Sequence, residues 1–311
     1  MAQTLSVGAQ ASRLARDLPL AGSSSVIPKL VYGTAWKKER TADLVYAALK
    51  AGFRALDTAA QPKHYDERGA GEGVRRAVAQ GIVDRAQLFV QTKFTSPAGQ
   101  NETTPYDLDA SLVDKVHQSV RSSLAHFTLD GEDPYLDCLV LHSPMETMEE
   151  TVTVWRTLES YTPHKIRNLG LSNTTLAILQ QLHGTVARKP AVVQNRFYDG
   201  TGYEVPLRSF CRDENIVFQS FWTIGANPSL ARSEPVRQVA AKAAVEAVAA
   251  YYSLVLGLGG VTILDGTTDE VHMKDDLDGV RTVASWAEAD GVADWEAALK
   301  KFKSIVGDAC V

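Results

Sequence analysis

Cysteine is scarce in this chain: Cys138, Cys211 and Cys310 are far apart, form no CxxC pair and have no histidine at zinc spacing. That excludes a disulfide framework and a zinc ribbon, and it predicts reduced, mostly buried thiols in a cytoplasmic protein with no metal site. Positive charge is not in excess either. With 32 Lys and Arg against 37 Asp and Glu, the net charge is -5 and the cations are scattered, so no nucleic-acid footprint is present. Long apolar runs are missing, because the most hydrophobic stretch, AVEAVAAYYSLVLGLGG, is broken by glycines and reads as helix, turn and strand rather than a membrane span. A GxGxxG turn after a strand is also absent, which argues against a Rossmann crevice. No linker or shift in composition divides the 311 residues. That length suits two ordinary domains or one α/β barrel, and the uniform composition favours the barrel.

What the chain does contain is a repeated alternation of strand-like and helical segments. The strand candidates are KLVYGT, FRALDTA, LFVQTKF, DCLVLHS, IRNLGLS, AVVQNRF, IVFQSFW and GVTILDG, each short, apolar or β-branched, and bounded by polar or glycine-containing loops. Strand–helix repeats with short connections imply a parallel sheet with right-handed crossovers. The expected fold is therefore α/β, a single-domain (β/α)8 TIM barrel over residues 29–311 ending in a helical segment. Residues 1–28 form an N-terminal extension or a barrel cap; Arg13, Arg16 and Ser23–Ser25 faintly suggest a transit peptide, but Asp17 interrupts that composition.

Local signals refine the pattern. Leu112, Val116, Val120 and Leu124 recur at helical spacing behind Asp109, a candidate N-cap, while Thr41 is expected to cap the helix that Gly52 ends. The glycines of GLGG, Gly257–Gly260, precede a strand and read as a turn into it. Two longer connections, TSPAGQNETTPYD and TIGANPSLARSEP, follow the third and seventh strands and are expected to shape a substrate pocket.

Asp57, Lys93 and His142 close three consecutive strand candidates, and Tyr65 lies in the loop after Asp57. A parallel barrel gathers such C-terminal strand ends on one rim. A phenol is a poor acid at neutral pH unless a cation stabilises its phenolate; Lys93 can do so if Asp57 holds the ammonium in place. Tyr65 then becomes a general acid, and His142 can orient a carbonyl or share the proton. Each residue alone has an ordinary structural account, and their joint placement is what points to a site.

YGTAW, LDTA, QPKHYDE, QTKF, LVLHSP, LGLSN, VVQNRF, QSFWT and GTTDEVHMKDDL occur in order from about Lys29 to Leu277, and with them the chain resembles the aldo-keto reductase family. QPKHY and FWTIGANP are similar to a fungal branch of it, in which the tyrosine follows the aspartate at longer spacing than in the better-known members; His64, beside Tyr65, competes for the acid role. The resemblance implies NADPH, with NADH possible, bound in extended form without a Rossmann domain. It assigns Ser172, Asn173 and Gln194 to the nicotinamide carboxamide, Phe221 to stacking on the ring, and Thr223 to the cofactor wall beyond it. Gly266, Thr267, Thr268, His272, Asp275 and Asp276 match the segment that holds the adenosine phosphates, with Thr267 and Thr268 as hydroxyl caps of a helix N-terminus.

This last segment departs from the family. Gly266 and His272 stand where many members carry Lys and Arg, and Asp275 and Asp276 where they carry Glu and Asn, so discrimination for NADPH over NADH is expected to be weak unless Lys274 or a residue outside the motif reaches the phosphate. The implied activity is reduction of an aldehyde or ketone. Trp36, His64, Phe94, Tyr106 and Trp222 are candidate pocket walls and favour an apolar or aromatic small molecule. Two other functions remain open at this level: an isomerase or dehydratase using the same side chains, or a redox-silent nucleotide-binding protein. The sequence does not reveal the oligomeric state.

Overall fold

The computed structural model describes residues 14–308; Arg13 and Cys310 lie outside the described residues. All eight strand candidates form strands: β3 (Leu30–Gly33), β4 (Ala55–Asp57), β5 (Phe89–Phe94), β6 (Leu136–Leu141), β7 (Ile166–Ser172), β8 (Val192–Arg196), β9 (Val217–Phe221) and β10 (Val261–Asp265). They pair in parallel in sequence order, and β10 closes on β3 through Ile263 opposite Leu30. Before them, β1 (Leu18–Pro19) and β2 (Val26–Ile27) make an antiparallel hairpin.

The crossovers are α1 (Thr41–Ala51), α2 (Glu67–Ala79), α3 (Leu112–His126), α4 (Met148–Glu159), α5 (Leu176–Thr185), α6 (Val205–Asp213) and the pair α7 (Glu234–Ala243) and α8 (Ala247–Leu256), followed by α9 (Glu270–Glu288) and α10 (Val292–Ile305). Gly52 ends α1 with φ 119°, a conformation costly for a side chain bearing Cβ, and its N–H donates to Ala48 O and Leu49 O. Gly259 and Gly260, at φ 84° and 65°, turn the chain into β10. Two caps differ from expectation. Ser111, not Asp109, caps α3, accepting from the Asp114 N–H, while Asp109 sits in the loop and donates its N–H to Asp107. Thr41 begins α1 but its hydroxyl donates to Lys38 O, closing the 3-10 turn before the helix instead of capping it.

The barrel interior changes character along its axis. At the N-terminal end Val31, Ala55, Phe89, Cys138 and Val192 pack with Leu20 and Ile27 of the hairpin, which therefore covers the barrel floor. Burying each of those two hairpin side chains stabilises by roughly 1.5–3 kcal/mol. Ser23 Oγ adds a 2.7 Å hydrogen bond to Asn168. Toward the C-terminal end the inward positions become polar: Asp57, Gln91, Lys93, Gln194 and Gln219 are all at most 3% exposed. Polar side chains survive in a strand core only when they are mutually hydrogen-bonded, which places this layer directly beneath the site. Cys138 and Cys211 are buried free thiols. No single helix among the described residues is long and apolar enough to cross a membrane.

Candidate active site

Above the polar layer a cleft of about 1240 Å³ opens at the C-terminal rim, lined among others by Asp57, Tyr65, His142, Ser172, Asn173, Gln194, Phe221 and Trp222. That exceeds the usual ligand pocket of roughly 300–1,000 Å³. Three rim residues, Trp36, Asn173 and Trp222, hold the left-handed backbone at φ 64°, 51° and 55°. Non-glycine residues adopt that conformation at some cost, and such strain concentrates where side chains must be aimed at a ligand.

Lys93 is fully buried, and its ammonium lies 2.5 Å from Asp57 Oδ2 and 2.8 Å from Thr58 O. The other carboxylate oxygen of Asp57 accepts from Gln91 and Gln194 at 2.6 and 3.0 Å, and both of those amides also donate to Gln219 Oε1. The glutamines thus fix the aspartate that fixes the lysine. Burial alone would pull the Lys93 ammonium down; the charges of Asp57 and Tyr65 outweigh it and hold the group above its ordinary value.

The chain reaches Tyr65 through one helical turn, with the N–H groups of His64 and Tyr65 both donating to Gln61 O. This turn absorbs the extra residues after Asp57 and brings the Tyr65 ring over Lys93, 4.8 Å from the ammonium to the centroid. Burial raises the Tyr65 phenol and Lys93 opposes it, with a net shift upward. The expectation of a phenol made more acidic by its cation therefore holds only in part. The Lys93 charge is already engaged by Asp57, so it offsets desolvation without reversing it.

His142 packs edge-on against Tyr65, ring centroids 5.9 Å apart. Burial, then Lys93 and His64, push its imidazole down to about 3, so it is neutral at physiological pH. Its Nδ1 is 2.6 Å from the buried Thr95 hydroxyl, whose other hydrogen-bond partners are none among the described residues. A buried hydroxyl proton needs an acceptor, so Thr95 donates to Nδ1 and the ring proton sits on Nε2 as a donor. His64 has the opposite arrangement. Gln61 uses its amide nitrogen on Gly99 O, leaving its oxygen to accept from His64 Nδ1 at 2.9 Å. His64 Nε2 is then an acceptor, and desolvation with Lys63 nearby depresses the ring's protonation further.

The residues expected at the nicotinamide lie together on the cleft wall. Ser172 Oγ donates to Gln194 O at 2.7 Å, Asn173 Nδ2 donates to His142 O at 2.9 Å, and Phe221 and Thr223 continue the wall. A ring face beside amide and hydroxyl groups suits a flat carboxamide-bearing heterocycle.

The far end is acidic. Gly266, Thr267, His272, Asp275 and Asp276 line it, joined by Asp265, Glu246 and Tyr252; Thr268 is exposed outside the cleft. Neither threonine caps α9. Asp269 does, its carboxylate accepting from the Val271 and His272 N–H groups, so an acidic side chain already occupies the donors that would meet an anion. Burial, with Asp265 alongside, pushes the Asp276 carboxyl up to about 8, and burial raises Asp265 as well. Lys274 pairs with Asp278 on the exposed side of α9. The cation that does reach this end is Lys37, from the loop after β3, whose ammonium donates to Gly266 O.

Of the expected pocket walls, Trp36, His64 and Trp222 are in the cleft, and Trp36 stacks on His64 at 4.0 Å. Phe94 and Tyr106 are not. Neighbours on a strand face opposite ways, so with Lys93 inward Phe94 points out into the core, where it meets Tyr106 at 5.9 Å; the two are 0% and 5% exposed. The loop after β5 correspondingly contributes no residue to the cleft wall, and instead braces the loop carrying Tyr65 through Gln61 to Gly99 O and Gln100 to Ala60 O. The loop after β9 supplies Thr223, Ile224 and Gly225. Sequence reading missed Gln91, Gln219, Lys37, Arg196 and Asp265.

Comparisons with known proteins agree with this architecture. The NADPH-dependent D-xylose reductase of Meyerozyma guilliermondii is 31% identical over 179 residues, 54% of this chain and 56% of that protein. The glyoxal reductase of Bacillus subtilis is 31% identical over 199 residues, 64% of this chain and 63% of its own length. The matched stretches thus span little more than half of the D-xylose reductases of Pachysolen tannophilus and Meyerozyma guilliermondii. Among solved structures, an aldo/keto reductase from Brucella melitensis superposes with a TM-score of 0.70 at 21% identity, over 92% of this chain and 99% of that one. The family model described as aldo/keto reductase family matches residues 29–297, which includes every barrel strand and the whole polar layer, and the chain belongs to that family.

Proposed function

We propose that the protein is an NAD(P)H-dependent oxidoreductase that reduces an aldehyde or ketone to an alcohol. The observation that carries this reading is the Asp57–Lys93 pair beneath Tyr65 and His142, in the same cleft as Ser172, Asn173, Gln194 and Phe221. A bound reduced nicotinamide would supply the two electrons and the hydrogen that reach the carbonyl carbon. Ser172, Asn173 and Gln194 would hold its carboxamide and Phe221 its ring face.

Tyr65 gives its phenolic proton to the carbonyl oxygen, and the phenolate left behind is stabilised by the Lys93 ammonium, which Asp57 and the glutamines hold still. Neutral His142 donates Nε2–H to the same oxygen and orients it. His64, whose cleft-side nitrogen is an acceptor, is less suited to the acid role. Trp36 and Trp222, both more than half exposed on the rim, favour an apolar or aromatic substrate. NADPH is the cofactor expected from relatives such as the Meyerozyma enzyme, with weak discrimination against NADH because acidic groups surround the far end. The QPKHY segment supports placement in a fungal branch of the family, and the buried free thiols suit the cytoplasm.

An isomerase or dehydratase reading has less support, since it gives the nicotinamide set no task. Purified protein mixed with NADPH or NADH and a panel of aromatic and aliphatic aldehydes, followed by absorbance loss of the reduced nicotinamide, tests the proposal. Turnover that needs both components supports it; no consumption across the panel, with either cofactor, contradicts it.

A further inference from the structure

Resting on that reading, we propose that Arg196 is an anion-recognition residue of the substrate site, selecting carbonyl compounds that also bear a carboxylate. Arg196 ends β8 two residues beyond Gln194, and residues two apart on a strand share a face. Gln194 touches Asp57, so Arg196 stands about 7 Å further toward the mouth on the same wall, and it lines the cleft.

Its guanidinium is held by rings and not by a counter-ion. The carbon centre lies 4.2 Å from the Trp222 ring centroid, 5.3 Å from Tyr198 and 6.0 Å from Phe221. No carboxylate among the described residues pairs with it, and its buried Nε has no acceptor. Nε is closed off beneath the rings, and the guanidinium makes no hydrogen bond or ion pair to any described residue, so its outer N–H groups are left for an acceptor from outside. Guanidinium tolerates such stacking because it is weakly hydrated and planar, and its remaining N–H groups match the two oxygens of a carboxylate. Trp222 supplies an apolar face for the part of the molecule between carbonyl and carboxylate. The shared chemistry is an oxyanion, which a dinucleotide phosphate could also provide.

The experiment compares 4-carboxybenzaldehyde with its neutral methyl ester, using wild type, Arg196→Met and Arg196→Lys. In parallel, NADPH, NADH and benzoate are titrated by quenching of intrinsic fluorescence. Wild type should favour the carboxylate in kcat/KM by about tenfold, the expected scale of a charge-assisted pair. The ratio should collapse toward one in Arg196→Met and recover in part in Arg196→Lys, with benzoate affinity following the same order. A ratio near one in wild type, or one that survives Arg196→Met, overturns the proposal. So does a loss of dinucleotide affinity in Arg196→Met with the ratio intact, which gives the arginine to a cofactor phosphate. If no aldehyde turns over at all, the oxidoreductase reading fails, and benzoate binding still decides for or against Arg196.

Discussion

The two ends of the cleft are built on opposite principles. At the catalytic end one buried carboxylate, Asp57, meets one buried ammonium, Lys93, and the second oxygen of Asp57 accepts from Gln91 and Gln194, which Gln219 ties together. At the far end the carboxyls of Asp265 and Asp276 face each other, with Lys37 engaged on a carbonyl nearby. Complementary charge holds the Lys93 ammonium above its ordinary value, while burial keeps His142 neutral. Like charge makes the second titratable: burial and mutual repulsion raise both Asp265 and Asp276, the latter to about 8, so the pair holds a proton at lower pH and gains a negative charge as pH rises. A site can keep its proton chemistry while its cofactor anchorage changes, because different strands supply the two.

The contrast predicts unequal responses to substitution. Tyr65→Phe deletes the acid and should lower kcat by roughly 10² to 10⁴ while retaining cofactor affinity, and His64→Ala should cost far less. Steady-state kinetics beside fluorescence titration checks this; the reverse order would assign the proton to His64.

Lys93→Met leaves Asp57 buried without its partner and should destabilise the fold by roughly 3–5 kcal/mol as well as silencing turnover. Denaturant unfolding measures it. A loss below about 1 kcal/mol would mean that the pair is far better solvated than its burial implies.

At the far end, His272→Arg should strengthen NADPH relative to NADH by about 1–3 kcal/mol, and Asp276→Asn should help both cofactors, more so above pH 8. The sign follows from charge: as pH rises through about 8 the wild-type carboxyl ionises and repels phosphate, so affinity falls with pH and the asparagine variant loses that dependence. Titrations at two pH values decide it. A wild-type preference for NADPH of a hundredfold or more, unmoved by either substitution, would place the phosphate elsewhere. The smallest effect is expected on the barrel floor, where Ser23→Ala should cost about 1 kcal/mol of stability by removing a hydrogen bond to Asn168, with kinetics unaffected at the opposite rim.

The strands and the rim residues were legible because β-branched runs bounded by glycine and polar loops mark strands, and strand ends converge in a closed barrel. What escaped was side-chain direction. Both faces of these strands are buried, so hydrophobic alternation is erased, and Phe94 looked like a pocket wall. The parity of the catalytic residues carried the missing signal: Lys93 inward puts Gln91 inward and Phe94 outward, and Gln194 inward puts Arg196 on the cleft wall. The cap of α9, expected at Thr267 and Thr268 and found at Asp269, was misplaced for another reason. Thr267, Thr268 and Asp269 can all cap a helix, and only the geometry of the first turn selects among them.

The pH profile of kcat/KM for an uncharged aldehyde, measured at saturating cofactor and where chemistry limits the rate, tests the proton assignment most directly. With the Tyr65 phenol raised by burial and His142 held near 3, the profile should be flat from roughly pH 5 to pH 9 and fall only where a phenol ionises. A limb near the ordinary histidine value of about 6.5, surviving in Tyr65→Phe, would contradict the account and make a histidine the acid.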